Sequence, residues 1–217
     1  MKLIATGNTA EVFEYEEDKV LKLFKAGYPL EQIRREFNNT LIINRTCVHT
    51  PKTFEIVEHE GRHGIVFQKN IGVDLLSEYL KNPSDEKVAA EILVDLTDIQ
   101  KKVLSEETTE GISYKNFLDW FGYDGSNLPD GNFICHGDLH PGNIIRTKDG
   151  ELCLIDFMNV CRGPKEYDVA RTYVLLTENN PAAKAVGKKY LELMEMSFLQ
   201  IEPFLGAIQF CRKKEKL

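Results

Sequence analysis

Residues 133–145, "FICHGDLHPGNII", decide how the rest of this chain is read. Phe133-Ile134-Cys135 and Ile144-Ile145 are strand-like apolar pieces, and between them stand His136, Gly137, Asp138, His140, Pro141, Gly142 and Asn143. Pro141-Gly142 is a strong turn signal, and a turn alone would explain some of that polarity. The next turn, Lys148-Asp149-Gly150, leads into "ELCLIDFMNV", an apolar run that delivers one acid, Asp156. Asp138 and Asn143 lie five positions apart in a loop, and Asp156 comes thirteen later at a strand end. Two acids and an amide presented in this way suit a divalent cation and a reacting hydroxyl. Phosphoryl transfer asks for that, since its transition state needs positioning and neutralisation of phosphate charge more than covalent chemistry. Mg²⁺ prefers hard oxygen ligands and takes only one or two carboxylates besides phosphate oxygens and water.

Working outward, the N-terminal part is dominated by strand periodicity. "KLIATG", "AEVFEYE" and "KVLKLFK" predict three short strands within residues 1–25, with turns at Gly7-Asn8-Thr9 and Glu17-Asp18-Lys19. "PLEQIRREFNNTLIIN" opens with Pro29 and carries Ile33, Phe37 and Leu41 at helical spacing, which predicts an amphipathic helix. "KTFEIVEHEGRHGIVFQKN" predicts a hairpin turning near Glu60-Gly61-Arg62. From Gly72 onward the period is helical: "VDLLSEYL", then a helix from Ser84, a plausible N-cap, to Leu104, then residues 166–178 and 182–214. Residues 105–132, rich in Gly, Asp, Asn and Ser, are expected to be partly irregular. Strands succeeded by runs of helices predict an α+β protein, with an N-terminal lobe over 1–70 and a C-terminal lobe over 71–217.

Composition narrows the function classes. The chain of 217 residues has 27 basic and 34 acidic side chains, a net charge of −7, which argues against a general nucleic-acid binder. The terminal "RKKEKL" is locally basic but short enough to be a solvated tail. Five cysteines, an odd number without metal-type pairs, fit a reducing, cytoplasmic setting. No window approaches the roughly 18 apolar residues of a membrane span, and the N-terminus lacks a stretch of signal-peptide length.

"HGDLHPGN" succeeded by "LIDF" resembles the aminoglycoside phosphotransferase and choline kinase family, whose fold is protein-kinase-like. The resemblance implies a two-lobed kinase-like fold and an ATP- or GTP-dependent transfer to the hydroxyl of a small molecule. It implies that Asp138 is the catalytic base, that Asn143 and Asp156 hold Mg²⁺, and that His136 braces the loop. Asp168, in "GPKEYDVARTYVLL", matches an acid that buttresses the loop, although an aspartate near a helix start can simply answer the helix dipole.

Upstream, Lys22 fits the strand lysine that contacts nucleotide phosphates, with Lys19 and Lys25 as rivals on the same strand. Glu36 fits its helix partner, with Glu31 as a rival. The turn over the phosphates has a single glycine, Gly7, so backbone amides of Asn8, Thr9 and Ala10 would act as donors. Gln68 to Asn70 resemble the hinge whose backbone receives an adenine edge.

Two features favour a small-molecule acceptor over a protein. Gly137 stands where protein kinases place an arginine, and only eleven residues separate Asp156 from Asp168, too few for a long activation segment. A compact atypical protein kinase of the RIO or lipopolysaccharide-kinase type is the alternative enzyme. A nucleotide-binding pseudokinase is the alternative from another class.

Overall fold

The computed structural model describes residues 1–178 and 182–215. Contacts divide the chain into two compact units: residues 1–73 with 145–158, and residues 74–144 with 159–217. The first unit thus takes up 145–158, which the sequence reading assigns to the C-terminal lobe.

The first unit is built on an antiparallel sheet. Its strands are β1 (Leu3–Thr6), β2 (Ala10–Glu16), β3 (Lys19–Phe24), β4 (Thr53–His59) and β5 (Arg62–Gln68), in the order β1-β2-β3-β5-β4. The β4–β5 turn holds Glu60 at φ 51° and Gly61 at φ 72°. Positive φ at both central residues is what a two-residue turn needs to match the twist of its strands. Strand alternation sorts β3 into two faces. Leu21 and Leu23 pack with Val66 on one side, while Val20 and Phe24 join Ala10, Ile33, Ile65 and Phe67 on the other. Lys22 has the parity of the second face.

That second face carries helix α1 (Leu30–Ile43). The buried stripe of α1 runs through Ile33, Glu36, Asn39, Thr40 and Ile43. The apolar spacing Ile33, Phe37, Leu41 predicts the helix correctly but not its inward face, because three of the inward positions are polar. A short sheet completes the unit: β6 (Gly72–Asp74), β8 (Ile144–Thr147) and β9 (Leu152–Leu154), in the order β6-β8-β9.

The second unit is mainly helical: α2 (Leu75–Lys81), α3 (Glu86–Val103), α4 (Tyr114–Trp120), α5 (Lys165–Thr177), α6 (Ala183–Met194) and α7 (Phe198–Glu215). It also pairs β7 (Phe133–Cys135) antiparallel with β10 (Cys161–Gly163). Tyr114 of α4, Tyr167 of α5 and Phe204 of α7 pack tilted or edge to face at centroid distances of 4.5, 6.1 and 6.2 Å and hold these three helices together.

Two local expectations are corrected, and a third is met. The N-cap of α3 is Asp85, whose carboxylate accepts from the Lys87 and Val88 amides; Ser84 is one residue too early. Residues 105–132 are partly irregular, as expected, around the short helix α4, which Ser113 caps. The described part of the terminal basic stretch, residues 212–215, is the last turn of α7 rather than a solvated tail, since Arg212 binds Glu178 and Glu215. Residues 216 and 217 lie outside the described residues.

Candidate active site

In the first unit three charged side chains meet. Lys22 Nζ lies 2.6 Å from Glu36 Oε1 and 3.2 Å from Asp156 Oδ1. Glu36 is 1% exposed, which a carboxylate tolerates only with a partner. Burial alone would lower the Lys22 pKa, but the charges of Asp156 and then Glu36 outweigh it and hold the ammonium above its ordinary value. Lys19 instead pairs with Glu16, and Lys25 and Glu31 are exposed. The structure therefore brings together Lys22 and Glu36, not their rivals.

Asp156 adopts φ 66°, a left-handed conformation that costs a non-glycine residue of order 1–3 kcal/mol and is concentrated at functional sites. The two residues after it are anchored. Phe157 is buried, Met158 packs against the α1-side core, and Asn39 Nδ2 donates to Phe157 O at 2.9 Å and to Met158 O at 3.4 Å. The sequence reading did not single out Asn39. A polar residue three positions after Glu36, on the same helix face, was the signal available.

The nucleotide-turn residues divide. Asn8 and Thr9 are exposed in the turn, whereas Ala10 is buried in β2 and joins the core with Phe24 and Ile33. At the expected hinge the Gln68 amide donates to Lys52 O at 2.8 Å and the Lys69 amide to Asp18 O at 2.8 Å. Asn70 directs its side chain to Cys153 Sγ at 3.0 Å.

In the second unit the loop after β7 is held at every turn. His136, fully buried, accepts from the Asp138 amide through Nδ1 at 3.3 Å. Gly137 has φ +76°, and a Cβ there would lie 2.2 Å from Asn159 O, so both conformation and space call for glycine. Its amide donates to Asp168 Oδ1 at 2.8 Å. Asp168 Oδ2 accepts from Gln100 Nε2 at 2.9 Å, and Tyr190 OH donates to Gln100 Oε1 at 2.6 Å. Burial pushes the Asp168 carboxyl above the usual carboxylate range, with the Gly137 and Gln100 hydrogen bonds acting in the opposite direction.

The loop closes with a one-turn 3₁₀ helix, Pro141–Asn143, capped by His140 Nδ1, which accepts from the Gly142 amide at 3.1 Å. Asn143 Nδ2 donates to Asp138 O at 2.9 Å, which leaves its amide oxygen as the atom a cation would meet. The Asp138 carboxylate is 26% exposed and lies 3.5 Å from Arg171 Nη2. Arg171 was not foreseen from the sequence; its position three residues after Asp168, on the same face of α5, was the only hint.

Among the described residues no group of three or more His, Cys, Asp or Glu side chains could hold a metal by itself. The amide oxygen of Asn143 and the exposed carboxylate of Asp156 are each, taken singly, the kind of hard ligand that Mg²⁺ accepts beside phosphate and water.

Comparison with known proteins agrees with the motif. Residues 104–195 match the family model described as the APH phosphotransferase enzyme family. The segment includes Asp138, Asn143, Asp156 and Asp168. The solved structure of an aminoglycoside-3'-phosphotransferase of type VIII is similar at TM-score 0.67 and 14% identity, covering 96% of this chain and 93% of that one. The ADP-bound aminoglycoside phosphotransferase APH(2'')-Ib is similar at TM-score 0.62 and 15% identity, over 95% and 80% of the two chains. The streptomycin–ATP–APH(2'')-IIa ternary complex is similar at TM-score 0.60 and 15% identity, over 94% and 80%. No curated protein sequence matches the chain. The fold is the protein-kinase-like α+β fold of aminoglycoside phosphotransferases, and the resemblance read from "HGDLHPGN" and "LIDF" is met. The match over residues 104–195 and the fold are what the chain shares with phosphotransferase enzymes. Among the described residues no helix is long and apolar enough to cross a membrane.

Proposed function

We propose that the chain transfers the γ-phosphoryl group of ATP or GTP to a hydroxyl of a small molecule. The observation that carries this reading is the Lys22–Glu36–Asp156 cluster, at 2.6 and 3.2 Å, in a fold shared with phosphotransferases described with ADP or ATP bound.

Lys22, kept cationic and oriented by Glu36, binds the phosphates, and the backbone at Asn8, Thr9 and Ala10 covers them. The Gln68–Asn70 segment receives the base. Asp138 orients the acceptor hydroxyl and accepts its proton as the hydroxyl oxygen bonds to the γ-phosphorus. The bond from that phosphorus to the bridging oxygen breaks, and the nucleoside diphosphate leaves with the electron pair. Mg²⁺, with Asn143 and Asp156 as its protein ligands, would neutralise phosphate charge. His136 and Asp168 keep the loop in place through the Asp138 and Gly137 amides.

A small acceptor is favoured over a protein. The segment after Asp156 pairs as β10 within a few residues and enters α5 at Lys165, which leaves little chain to dock a peptide. A polycationic acceptor is not favoured, because three acids of the last helices already have cationic partners. Glu178 pairs with Arg212, Glu192 with Lys188 and Lys189, and Glu195 with Lys101. A sugar, amino alcohol or nucleoside-like hydroxyl fits better. The protein acts in the cytoplasm under this reading.

The test is nucleotide consumption with Mg²⁺ across hydroxylated metabolites, aminoglycosides and a generic protein substrate. Turnover of a small molecule, lost in Asp138→Ala while nucleotide still binds, supports the reading. Transfer to protein favours the RIO-like alternative, and binding without any transfer favours a pseudokinase.

A further inference from the structure

We propose that Arg171 is a positioning residue for Asp138 and that Glu215, in the last turn of α7, keeps its guanidinium in place. The proposal rests on the reading of Asp138 as the base.

Arg171 is 1% exposed, yet an arginine stays charged at any working pH, so its burial has to be matched by partners. Two nitrogens of the fork, Nε and Nη2, have them. Nε donates to Gly137 O, and Nη2 lies 3.5 Å from Asp138 Oδ1 and 2.8 Å from Glu215 Oε1. The guanidinium also lies over the Phe117 ring, 5.7 Å from its centroid. Glu215 is itself braced: Arg212 Nη1 holds its other oxygen at 2.7 Å, and Arg212 Nη2 reaches Glu178 at 3.2 Å.

The loop is restrained twice by these contacts. Asp168 binds the Gly137 amide and Arg171 binds the Gly137 carbonyl, so one face of α5 fixes both backbone polar groups of the residue before the base. Arg171 then engages one oxygen of Asp138, which leaves Oδ2 to meet an acceptor hydroxyl. A carboxylate with one oxygen tethered samples fewer orientations than a free one, and orientation is much of what a base contributes in this chemistry. Glu215 matters because it shares the guanidinium. Without it the fork can turn fully onto Asp138 and engage both oxygens, as an arginine–carboxylate pair prefers.

The test compares wild type with Arg171→Met/Glu215→Met, Arg171→Lys and Asp138→Asn. It measures ADP release from Mg-ATP with water, a panel of sugars and nucleosides, or choline as acceptor, Mg-ATP affinity by calorimetry, and folding by circular dichroism. The double variant removes the buried guanidinium together with its part-buried carboxylate partner and so leaves neither unpaired. The expected result is a folded double variant with Mg-ATP affinity within about twofold of wild type and kcat lower by about tenfold or more. Arg171→Lys should recover part of that loss, because it keeps the charge but not the fork. Wild-type kcat in the folded double variant, or affinity falling in step with kcat, would overturn the proposal. Should the double variant not fold, Glu215→Gln decides: reduced kcat with unchanged KM for Mg-ATP is expected, and unchanged kcat overturns it. Full ADP release by Asp138→Asn, or none by wild type, sinks the base reading itself and this proposal with it. An inactive Asp138→Asn beside a fully active double variant sinks only the role of Arg171.

Discussion

Lys22 Nζ and Glu36 Oε1 lie 2.6 Å apart, joining the middle of β3 to the buried face of α1. Lys22→Met should lower kcat/KM for Mg-ATP by about 10²-fold, the scale of losing one preorganised charge at a reacting group. The same substitution strands Glu36, whose carboxyl burial already pushes upward. A carboxyl with a raised folded-state pKa contributes stability that is present below its unfolded value and is lost as pH rises through the folded value. The deficit in Tm of Lys22→Met against wild type should therefore be small near pH 4 and grow toward neutrality. Thermal melts of both proteins between about pH 4 and 8 check this.

Asn39 does for the segment after Asp156 what a second turn of backbone could not. Asn39→Ala removes the 2.9 Å bond to Phe157 O and leaves that carbonyl buried, at a cost of about 1–3 kcal/mol. It should also weaken Mg-ATP binding, because Asp156 immediately precedes the loosened residues. Denaturant unfolding and calorimetry measure the two effects, and unchanged affinity with reduced stability would confine Asn39 to folding.

Gly137→Ala forces a Cβ to within 2.2 Å of Asn159 O at φ +76°. Relief requires the loop or the 159 backbone to move, at a cost of about 1–3 kcal/mol, and either movement displaces Asp138. The expected result is a lowered Tm and a kcat reduced more than nucleotide affinity. An arginine there, as in protein kinases, should be worse still.

The Asp168 carboxyl is raised above its ordinary value by burial. Its linked contribution to stability is therefore greatest below the unfolded carboxylate pKa and declines as pH rises through the folded value. Asp168→Asn, which cannot ionise, should flatten that part of the Tm–pH curve. If the curves of wild type and variant run parallel, the carboxyl is not perturbed in the folded protein.

Much of the site was legible because its chemistry is local in sequence. His136 to Asn143 fold into a loop by short-range bonds: His136 to the Asp138 amide, His140 to the Gly142 amide, Asn143 to the Asp138 carbonyl. Residue types and spacing suffice to suggest such a loop. Lys22 could be chosen from its apolar neighbours on a strand. Glu36 was harder, since it lies on an inward stripe that is half polar and so leaves no hydrophobic period to read.

Arg171, Asn39, Gln100 and Glu215 escaped notice for a common reason. Their partners are 34, 118, 68 and 44 residues away in the chain, and a buried polar side chain looks the same in sequence as a solvated one.

The N-terminal order of strands, helix and hairpin and the turn around the loop residues were legible in the sequence, because turn chemistry and side-chain period act over a few residues, and the kinase-like class was legible through the resemblance of "HGDLHPGN" and "LIDF". Only the tertiary structure decided which lysine meets which glutamate, why residue 137 has no room for a side chain, and that an arginine of α5 reaches the carboxylate of Asp138. Those are outcomes of packing, where burial leaves a charge no water and obliges it to find a partner wherever the fold has placed one.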